Sequence, residues 1–169
     1  MSYFEKFPLY QYDIKDNQDR TLITDIMRRV NLKANARANT LVFDEYNVKD
    51  GETPDIVATK YYDNPEYHWI VITVNNITNR HDWPMDQVAL THYVNDKYSD
   101  PSGTHHYELA QTSGDTTKLL TVASDTAGAT AVTNYEYEQT LNDDKRKIRL
   151  LDRAYIAQFK SEFEKLIQR

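Results

Sequence analysis

Five histidines are the side chains in this sequence best suited to binding a metal or transferring a proton. They are His68, His81, His92, His105 and His106. None belongs to an HExxH motif or shows the ligand spacing of a zinc site, and the absence of cysteine excludes thiolate ligands and disulfide bonds. We therefore expect no bound metal and no cofactor. We expect His68 to be a partly buried helix residue, and the pair at 105–106 to begin a strand.

Carboxylates are the other groups that could carry catalysis. The sequence has 26 Asp and Glu residues, so pairs such as Glu136 and Glu138 occur by chance, and we expect these two to meet solvent or the arginines of a partner. Glycoside hydrolysis needs two positioned carboxyl groups, one of them with a raised pKa. Only Ser113 and a few other residues could act as nucleophiles, and no GxSxG motif is present. We predict that the protein is not an enzyme and has no catalytic residues.

Residues 45–76, EYNVKDGETPDIVATKYYDNPEYHWIVITVNN, carry the densest structural signals. Strand-forming residues at 42–48 precede the turn dipeptide Asp50-Gly51. Thr53-Pro54-Asp55 offers a capping side chain, a proline at the first helical position and an acid in the first turn. The same kind of start recurs at Asn64-Pro65-Glu66. The order predicts a strand followed by two short helices.

The residues of the second predicted helix have a higher intrinsic propensity for a strand than for a helix. Residues 69–74, WIVITV, are rich in β-branched side chains and have the composition of a buried strand. The start signal at 64–66 and the stop at Asn75-Asn76 favour a helix, and we give them more weight because propensity is a weak prior.

Composition narrows the class of protein. The chain has 169 residues, a net charge of −6 and a pI of about 5.3, so we expect no nucleic-acid binding. No apolar run approaches the roughly 20 residues of a membrane span, and the N-terminal residues lack the pattern of a secretory signal. Thirteen tyrosines favour a protein that contacts other proteins, although tyrosine also borders ordinary cores.

The N-terminal residues form an aromatic arm without helical period, interrupted by Pro8. The arm packs either on the domain behind it or on a partner, and a short strand over 9–12 is compatible with its composition. Apolar residues at 23, 26, 27 and 30 share one helical face, which predicts an amphipathic helix over 21–31. That helix packs on its own domain or docks on a neighbouring subunit. The polar and small residues at 33–40 predict a linker.

The C-terminal half changes its period from helix to strand. Asp86 lies near the start of a predicted helix that runs from 85 toward 94 or 98, and a loop follows at 99–103. Alternating side chains and turn residues then predict an antiparallel meander, with strands over 106–111, 118–123 and 131–140.

The end of the chain is predicted to be a turn at 142–145, a short strand at 146–151 and a helix that begins at Asp152. The helix has a strong apolar stripe of Ile156, Phe159, Phe163, Leu166 and Ile167.

The central strand, turn and helices resemble a LysM module, a small β-α-α-β domain. The matching residues are Tyr46, Val48, the turn at 51–54, the helix at 56–58, and Asn75. LysM modules bind N-acetylglucosamine polymers in a groove between the loop after the first strand and the loop after the second helix. The resemblance places that groove at Gly51, Glu52, Thr53, Pro54, Asn75, Asn76 and Ile77. No clear strand follows the second helix, and we expect a short one near 77–80.

A longer series of motifs is similar to the LysM-like baseplate wedge subunit of contractile-tailed bacteriophages, the family called baseplate wedge protein fifty-three. The motifs are Tyr61-Tyr62-Asp63-Asn64-Pro65, His68-Trp69, Val74-Asn75-Asn76, His105-His106-Tyr107-Glu108, residues 134–138, and residues 141–151 with the helix that follows. They cover most of residues 3–169, and their order carries the resemblance.

The resemblance implies an α+β protein of three parts: an aromatic arm and helix at 1–40, a LysM-like domain at 41–98, and a β-meander with a C-terminal helix at 99–169. It implies a structural protein of the virion tail baseplate, assembled in the host cytoplasm, that joins neighbouring wedge subunits and helps to close the baseplate ring around the hub. Its partners would be other wedge subunits, without nucleic acid, membrane or small-molecule substrate.

The residues expected to contact partners are Tyr3, Phe4, Phe7, Tyr10, Phe159, Phe163 and Leu166. Two alternatives stay open. One is a LysM-type module that binds peptidoglycan, and the other is an adaptor of a different contractile machine.

Overall fold

The computed structural model describes residues 3–16, 18–31, 42–111 and 118–168. The described chain mixes helices with small sheets, which confirms the α+β class. By its contacts it divides into a first unit, Met1–Val48, Glu52–Asp82 and Ile148–Arg169, and a second unit, Lys49–Gly51 and Trp83–Lys147. The longest described helix has 13 residues, and none of the described helices is long and apolar enough to cross a membrane.

An antiparallel hairpin begins the first unit. Strand β1 (Leu9–Tyr12) pairs with β2 (Thr21–Thr24), so that Tyr10 lies opposite Ile23. The strand predicted over 9–12 is confirmed, but the helix predicted over 21–31 is wrong. Thr21, Ile23 and Thr24 are β-branched and favour extended backbone, and the helical spacing of apolar residues there is coincidental. The linker predicted at 33–40 lies outside the described residues.

A second pair of strands joins distant parts of the sequence. Strand β3 (Phe43–Asn47) pairs with β7 (Lys147–Leu151). The Asp152 N–H donates to the Val42 carbonyl at 2.9 Å, so the end of β7 lies beside the start of β3, as antiparallel strands require. Both strands were predicted, but the short strand expected near 77–80 is wrong, because a 3₁₀ turn at Arg80–Asp82 follows coil there.

Two helices follow β3, as the sequence predicts. Helix α1 (Pro54–Tyr62) and helix α2 (His68–Val74) are joined by a 3₁₀ turn, Pro65–Tyr67. The Asn64 side chain caps that turn by accepting from the Glu66 N–H at 2.9 Å. Thr53 occupies the N-cap position of α1 but makes no capping hydrogen bond, so that part of the prediction is wrong. Its hydroxyl instead donates to the Asp55 carboxylate at 2.5 Å.

The core of the first unit explains why a β-branched segment becomes a helix. Trp69, Ile70 and Val74 of α2 pack with Phe7, Leu151, Phe163 and Ile167 in one buried cluster. Full burial of such side chains contributes about 1.5–3 kcal/mol each, more than the few tenths by which propensity disfavours the helix. The last helix, α5 (Ile156–Ile167), closes this core after a 3₁₀ turn at Arg153–Tyr155, and it confirms the predicted terminal helix.

The second unit contains a three-stranded sheet and two helices. Helix α3 (Gln87–Lys97) begins after Asp86, whose carboxylate accepts from the Ala89 N–H at 2.8 Å, as predicted. Strands β4 (Thr104–Ala110), β5 (Leu119–Val122) and β6 (Thr130–Thr133) pair antiparallel in the order β5-β4-β6. The predicted meander order is wrong, because β6 returns to the other side of β4 and leaves β5 at an edge.

Helix α4 (Asn134–Arg146) replaces most of the third predicted strand. The strand over 131–140 is correct only to Thr133, and the turn predicted at 142–145 lies inside the helix. Thr133 and Glu136 form a capping box: the Thr133 hydroxyl accepts from the Glu136 N–H, and the Glu136 carboxylate accepts from the Thr133 N–H. Two backbone donors are thereby satisfied at the helix start, which fixes where the strand ends.

Candidate functional site

The predicted contact residues of the arm and the terminal helix lie against each other. The ring centroids of Phe7 and Phe163 are 6.4 Å apart, and that of Tyr3 lies 5.6 Å from Phe163 and 5.5 Å from Trp69. Phe7 and Phe163 are buried, and Tyr3 and Phe159 are partly buried beside them. The first residues of the arm therefore pack on their own domain rather than on a partner. These four rings support the first unit rather than form an open surface.

Three of the predicted contact residues remain exposed. They are Phe4, Tyr10 and Leu166. Phe4 caps the aromatic cluster, with its centroid 5.0 Å from Tyr3, and Leu166 lies on the outer side of α5. Tyr10 belongs to a larger group of apolar side chains on the β1–β2 hairpin.

Among the described residues of the first unit, the hairpin carries the most concentrated group of exposed apolar side chains. We call it the hairpin surface; it consists of Leu9, Tyr10, Tyr12, Ile14, Leu22, Ile23, Ile26 and Met27, all exposed. The register places Tyr10 and Ile23 on one face and Leu9 on the other, so neither face of the hairpin is buried against the described residues. Met27 is 88% exposed, although it is a large apolar side chain.

Polar contacts hold the base of the hairpin in place. The Asp25 N–H donates to the Pro8 carbonyl at 2.8 Å, where the two strands meet the rest of the unit. Arg28 donates to the Ile167 carbonyl at 3.3 Å, and Arg29 donates to the Asn76 side chain at 3.0 Å. These contacts orient the hairpin surface relative to α2 and α5.

The polar side chains of the predicted LysM groove are engaged in internal contacts. Glu52 is 6% exposed, and its carboxylate accepts from the Tyr46 hydroxyl at 2.9 Å and from the Lys60 ammonium at 2.5 Å. Gly51 occupies a turn with φ of 73°, which favours glycine, and Pro54 begins α1. Gly51, Glu52 and Pro54 therefore have structural roles, whereas the Thr53 side chain is exposed.

Asn75 joins α2 to β7 through its side-chain amide. Its Nδ2 donates to the Arg149 carbonyl at 2.7 Å and to the Val71 carbonyl at 2.9 Å, while its Oδ1 accepts from the Arg149 N–H at 2.8 Å. The amide thus forms with the Arg149 backbone the pair of hydrogen bonds that a neighbouring strand would form. The adjacent Asn76 accepts from Arg29, and the Ile77 N–H donates to the Ile72 carbonyl at 3.0 Å.

A shallow cleft of about 70 Å³ opens beside the aromatic cluster in the first unit. Its lining combines aromatic rings with charged side chains: Tyr3, Lys6, Asn64, Glu66, Tyr67, Trp69, Lys160, Phe163 and Glu164. Lys6 lies 3.7 Å from Glu164, and the Lys160 ammonium lies 5.3 Å from the centroid of the Tyr67 ring. The charges are thus balanced within the cleft, which gives it no preference for a ligand of one sign.

Buried polar groups stabilise the second unit. The Glu138 carboxylate accepts from Lys97 at 2.7 Å and from the Tyr98 hydroxyl at 2.8 Å. Burial alone would raise the pKa of Glu138, but these hydrogen bonds and the positive charge of Lys97 outweigh it and lower the pKa. Glu138 was expected to meet solvent or a partner, and its burial follows from the helix that replaces the predicted strand.

A second asparagine repeats the role of Asn75. Asn142 is 2% exposed, and its amide accepts from the Met85 N–H at 2.7 Å and donates to the Met85 carbonyl at 2.9 Å. Sequence reasoning missed both asparagines, because nothing local distinguishes an amide that bonds to distant backbone. The sequence indicates Asn75 as the end of a helix and as a candidate groove residue, but not as a link between α2 and β7.

Three of the five histidines had a predicted position, and the structure confirms all three. His68 is partly buried at the start of α2, and His105 and His106 lie near the start of β4. Among the described residues, no group of three or more His, Cys, Asp or Glu side chains is arranged to hold a metal ion. The two adjacent imidazoles do make a close contact, with their Nδ1 atoms 2.9 Å apart.

No protein-family model matches the chain, and no curated protein is significantly similar to it.

Proposed function

We propose that the chain is a non-enzymatic structural component of a phage tail baseplate wedge. It joins neighbouring wedge subunits and helps to close the baseplate ring around the hub, and it reaches the virion from the host cytoplasm. The series of sequence motifs supports the assignment to this family. The hairpin surface is the observation that carries a role in contact between proteins.

The hairpin surface has the properties of a docking element. A two-stranded hairpin alone is marginally stable in water. Burial of its apolar side chains against a partner would therefore stabilise it. Large exposed apolar patches mark contact sites on soluble proteins. Within the described residues, β1 and β2 form a sheet of two strands, so each outer edge can also accept a strand from a partner. We infer that neighbouring baseplate subunits cover this hairpin.

The centre of the chain supplies a spacer for that contact. β3, α1, α2 and β7 follow the β-α-α-β order of a LysM module, and Trp83–Lys147 lies between α2 and β7 in the sequence. We propose a LysM-like centre whose second strand is β7 and whose chain is interrupted by the second unit. Pairing of β3 with β7 and the Asn75 contacts support this assignment.

The proposed contact differs from the set expected from the sequence. Because Phe7 and Phe163 are buried in one cluster, the arm and the terminal helix do not present these rings to different neighbours. We therefore assign the contact with partners to the hairpin surface. Of the residues expected to contact partners, this surface includes Tyr10.

Locating the chain in assembled particles tests the proposed function. Phage or tail particles from the strain that encodes the chain should contain it, and immunogold labelling should place it at the baseplate end. Particles with normal tails that lack the chain would contradict the proposal, as would labelling along the sheath or on the capsid. A tail-like machine without a capsid, labelled at the same end, would favour the alternative that the chain is an adaptor of a different contractile machine.

Peptidoglycan binding remains the alternative that LysM resemblance suggests. The internal contacts of Glu52 and Asn75 weaken it, because those polar groups already have partners. A pull-down with purified peptidoglycan should show no saturable binding of the intact chain. Saturable binding that disappears in Thr53→Ala, a change at an exposed residue, would favour the alternative.

A further inference from the structure

His105 and His106 approach each other in a way that a regular strand does not allow. Consecutive side chains of a strand point to opposite faces of its sheet. Here the pairing of β4 with β6 passes from Thr104–Thr133 to His106–Val132, which leaves His105 without a partner in the register and marks a bulge. The bulge lets the two imidazole rings meet, with 2.9 Å between their Nδ1 atoms.

We propose that His105 and His106 together bind one divalent late transition metal ion through these Nδ1 atoms. Two imidazole nitrogens at about 2.05 Å from a metal lie about 2.9 Å apart when they subtend about 90°, but about 3.3 Å apart at a tetrahedral angle. The observed separation of 2.9 Å therefore fits adjacent positions of a tetragonal or octahedral ion, such as Cu²⁺ or Ni²⁺, better than tetrahedral zinc.

Glu108 prepares His106 for that role. Its Oε1 lies 2.9 Å from Nε2 of His106, on the side of the ring away from His105. A carboxylate at this position holds the proton on Nε2 and leaves the Nδ1 lone pair for a metal, which is the usual support of a metal-binding histidine. Sequence spacing alone did not suggest the pair, because it contains no sign of the bulge.

Tyr137 fixes the other imidazole. The ring of His105 stacks on that of Tyr137, with centroids 3.9 Å apart and planes inclined by 11°. Both ligands are thus oriented before a metal arrives, His106 by a carboxylate and His105 by an aromatic ring. Two protein ligands leave the remaining coordination positions to water or to a donor from another molecule. The inference is independent of the baseplate proposal.

Titration of the untagged, full-length chain with Ni²⁺, followed by calorimetry, tests the site. The wild type should bind one Ni²⁺ per chain at this site, and His105→Ala and His106→Ala should each weaken binding at least about tenfold. Glu108→Gln should weaken it about tenfold, as loss of such a supporting carboxylate does. His92→Ala, at an exposed histidine of α3, is the matched control and should leave binding unchanged. Electron paramagnetic resonance with Cu²⁺ should show two nitrogen ligands in the wild type and in His92→Ala, but not in His105→Ala or His106→Ala.

A direct hydrogen bond between neutral imidazoles is the competing explanation of the 2.9 Å contact. It predicts that the wild type and His105→Ala bind Ni²⁺ equally, and that result would overturn the proposal. Thermal unfolding provides a second readout that does not require His106→Ala to fold. Excess Ni²⁺ should raise the unfolding midpoint of the wild type and not that of His105→Ala, because a ligand stabilises only the state that binds it. Equal shifts would contradict the site.

Discussion

Aromatic side chains in the first unit have two different roles that their residue types do not reveal. Phe7 and Phe163 are 6% and 5% exposed and belong to the core, whereas Phe4 is 53% exposed beside them. The difference arises from the path of the arm, whose 3₁₀ turn at Tyr3–Lys6 directs alternate rings inward and outward. Sequence alone left open whether the arm packs on its own domain or on a partner, because burial depends on segments that lie far away in the chain.

Phe163→Ala distinguishes a core role from a contact role at that position. Removing a buried phenylalanine leaves a cavity, and we expect the free energy of unfolding to fall by about 3–5 kcal/mol. Leu166→Ala on the same helix is the control, and because Leu166 is 46% exposed its loss should be much smaller. Chemical denaturation of both variants measures the difference. Equal losses would mean that Phe163 is not part of the core.

Asn75→Ala tests whether this side chain has a structural role. The change removes two donated hydrogen bonds and one accepted from Arg149, and we expect it to cost about 1–3 kcal/mol of stability. Asn95→Ala, at an exposed site of α3, should change stability by no more than about 0.5 kcal/mol. If Asn75→Ala were as stable as this control, Asn75 would be available for a ligand, as the peptidoglycan alternative requires.

Secondary structure was predictable wherever a local signal marks an end of an element. The start at Asn64-Pro65-Glu66 correctly outweighed the β-branched composition of α2, and Asp86 correctly began α3. The residues Thr133-x-x-Glu136 contain the same kind of signal, a capping box, which marks the start of α4. The alternation at 135–138 predicts a strand instead, although Tyr135 and Glu138 are three positions apart, a spacing that a helix places on one side.

The remaining errors involve pairing between distant segments. β2 is a strand because it pairs with β1, and β6 lies beside β4 rather than β5. Nothing local in either segment identifies its partner. The bulge that turns His105 toward His106 belongs to the same class, because it is defined only by the register between β4 and β6.

Glu138→Gln tests the buried charge contact between α3 and α4. Because its folded-state pKa is lowered, ionised Glu138 stabilises the fold above its unfolded pKa, and this contribution is lost as pH falls through the folded pKa. We expect the variant to be less stable than the wild type at pH 7 by about 1–3 kcal/mol. The difference should begin to shrink as pH falls below the unfolded-state pKa of about 4.3, and it should disappear only below the lowered folded-state pKa.

Thermal unfolding followed by circular dichroism from pH 3 to 7 measures this dependence. Asp96→Asn, at an exposed site of α3, is the control and should follow the wild type within about 0.5 kcal/mol. A difference for Glu138→Gln that stayed constant across this range would assign the loss to packing rather than to charge.

The first unit is built from segments of both ends of the chain. The arm, β3, α1, α2, β7 and α5 form the first unit, although Trp83–Lys147 separates α2 from β7 in the sequence. Boundaries predicted at 40/41 and 98/99 follow changes in composition, and they stay predictions. Because Phe7 belongs to the core of the first unit, deletion of the arm would also destabilise the fold. Such a deletion could not separate loss of folding from loss of contact with a partner.

Substitution within the hairpin surface tests the central proposal most directly. The variant Tyr10→Ser, Tyr12→Ser, Ile23→Ser removes exposed apolar groups and retains Phe7. The matched control is Val88→Ser, Leu119→Ser, Leu141→Ser, which changes three exposed apolar residues of the second unit. Both purified chains should show the far-ultraviolet circular dichroism of the wild type.

The measurement is the incorporation of each variant into tail particles, determined by quantitative mass spectrometry of particles from a strain that lacks the wild-type chain. If the hairpin surface joins neighbouring subunits, the hairpin variant will be absent from particles and complete baseplates will not form, whereas the control will be incorporated normally. Incorporation of the hairpin variant at the wild-type level, with normal baseplates, would contradict the account.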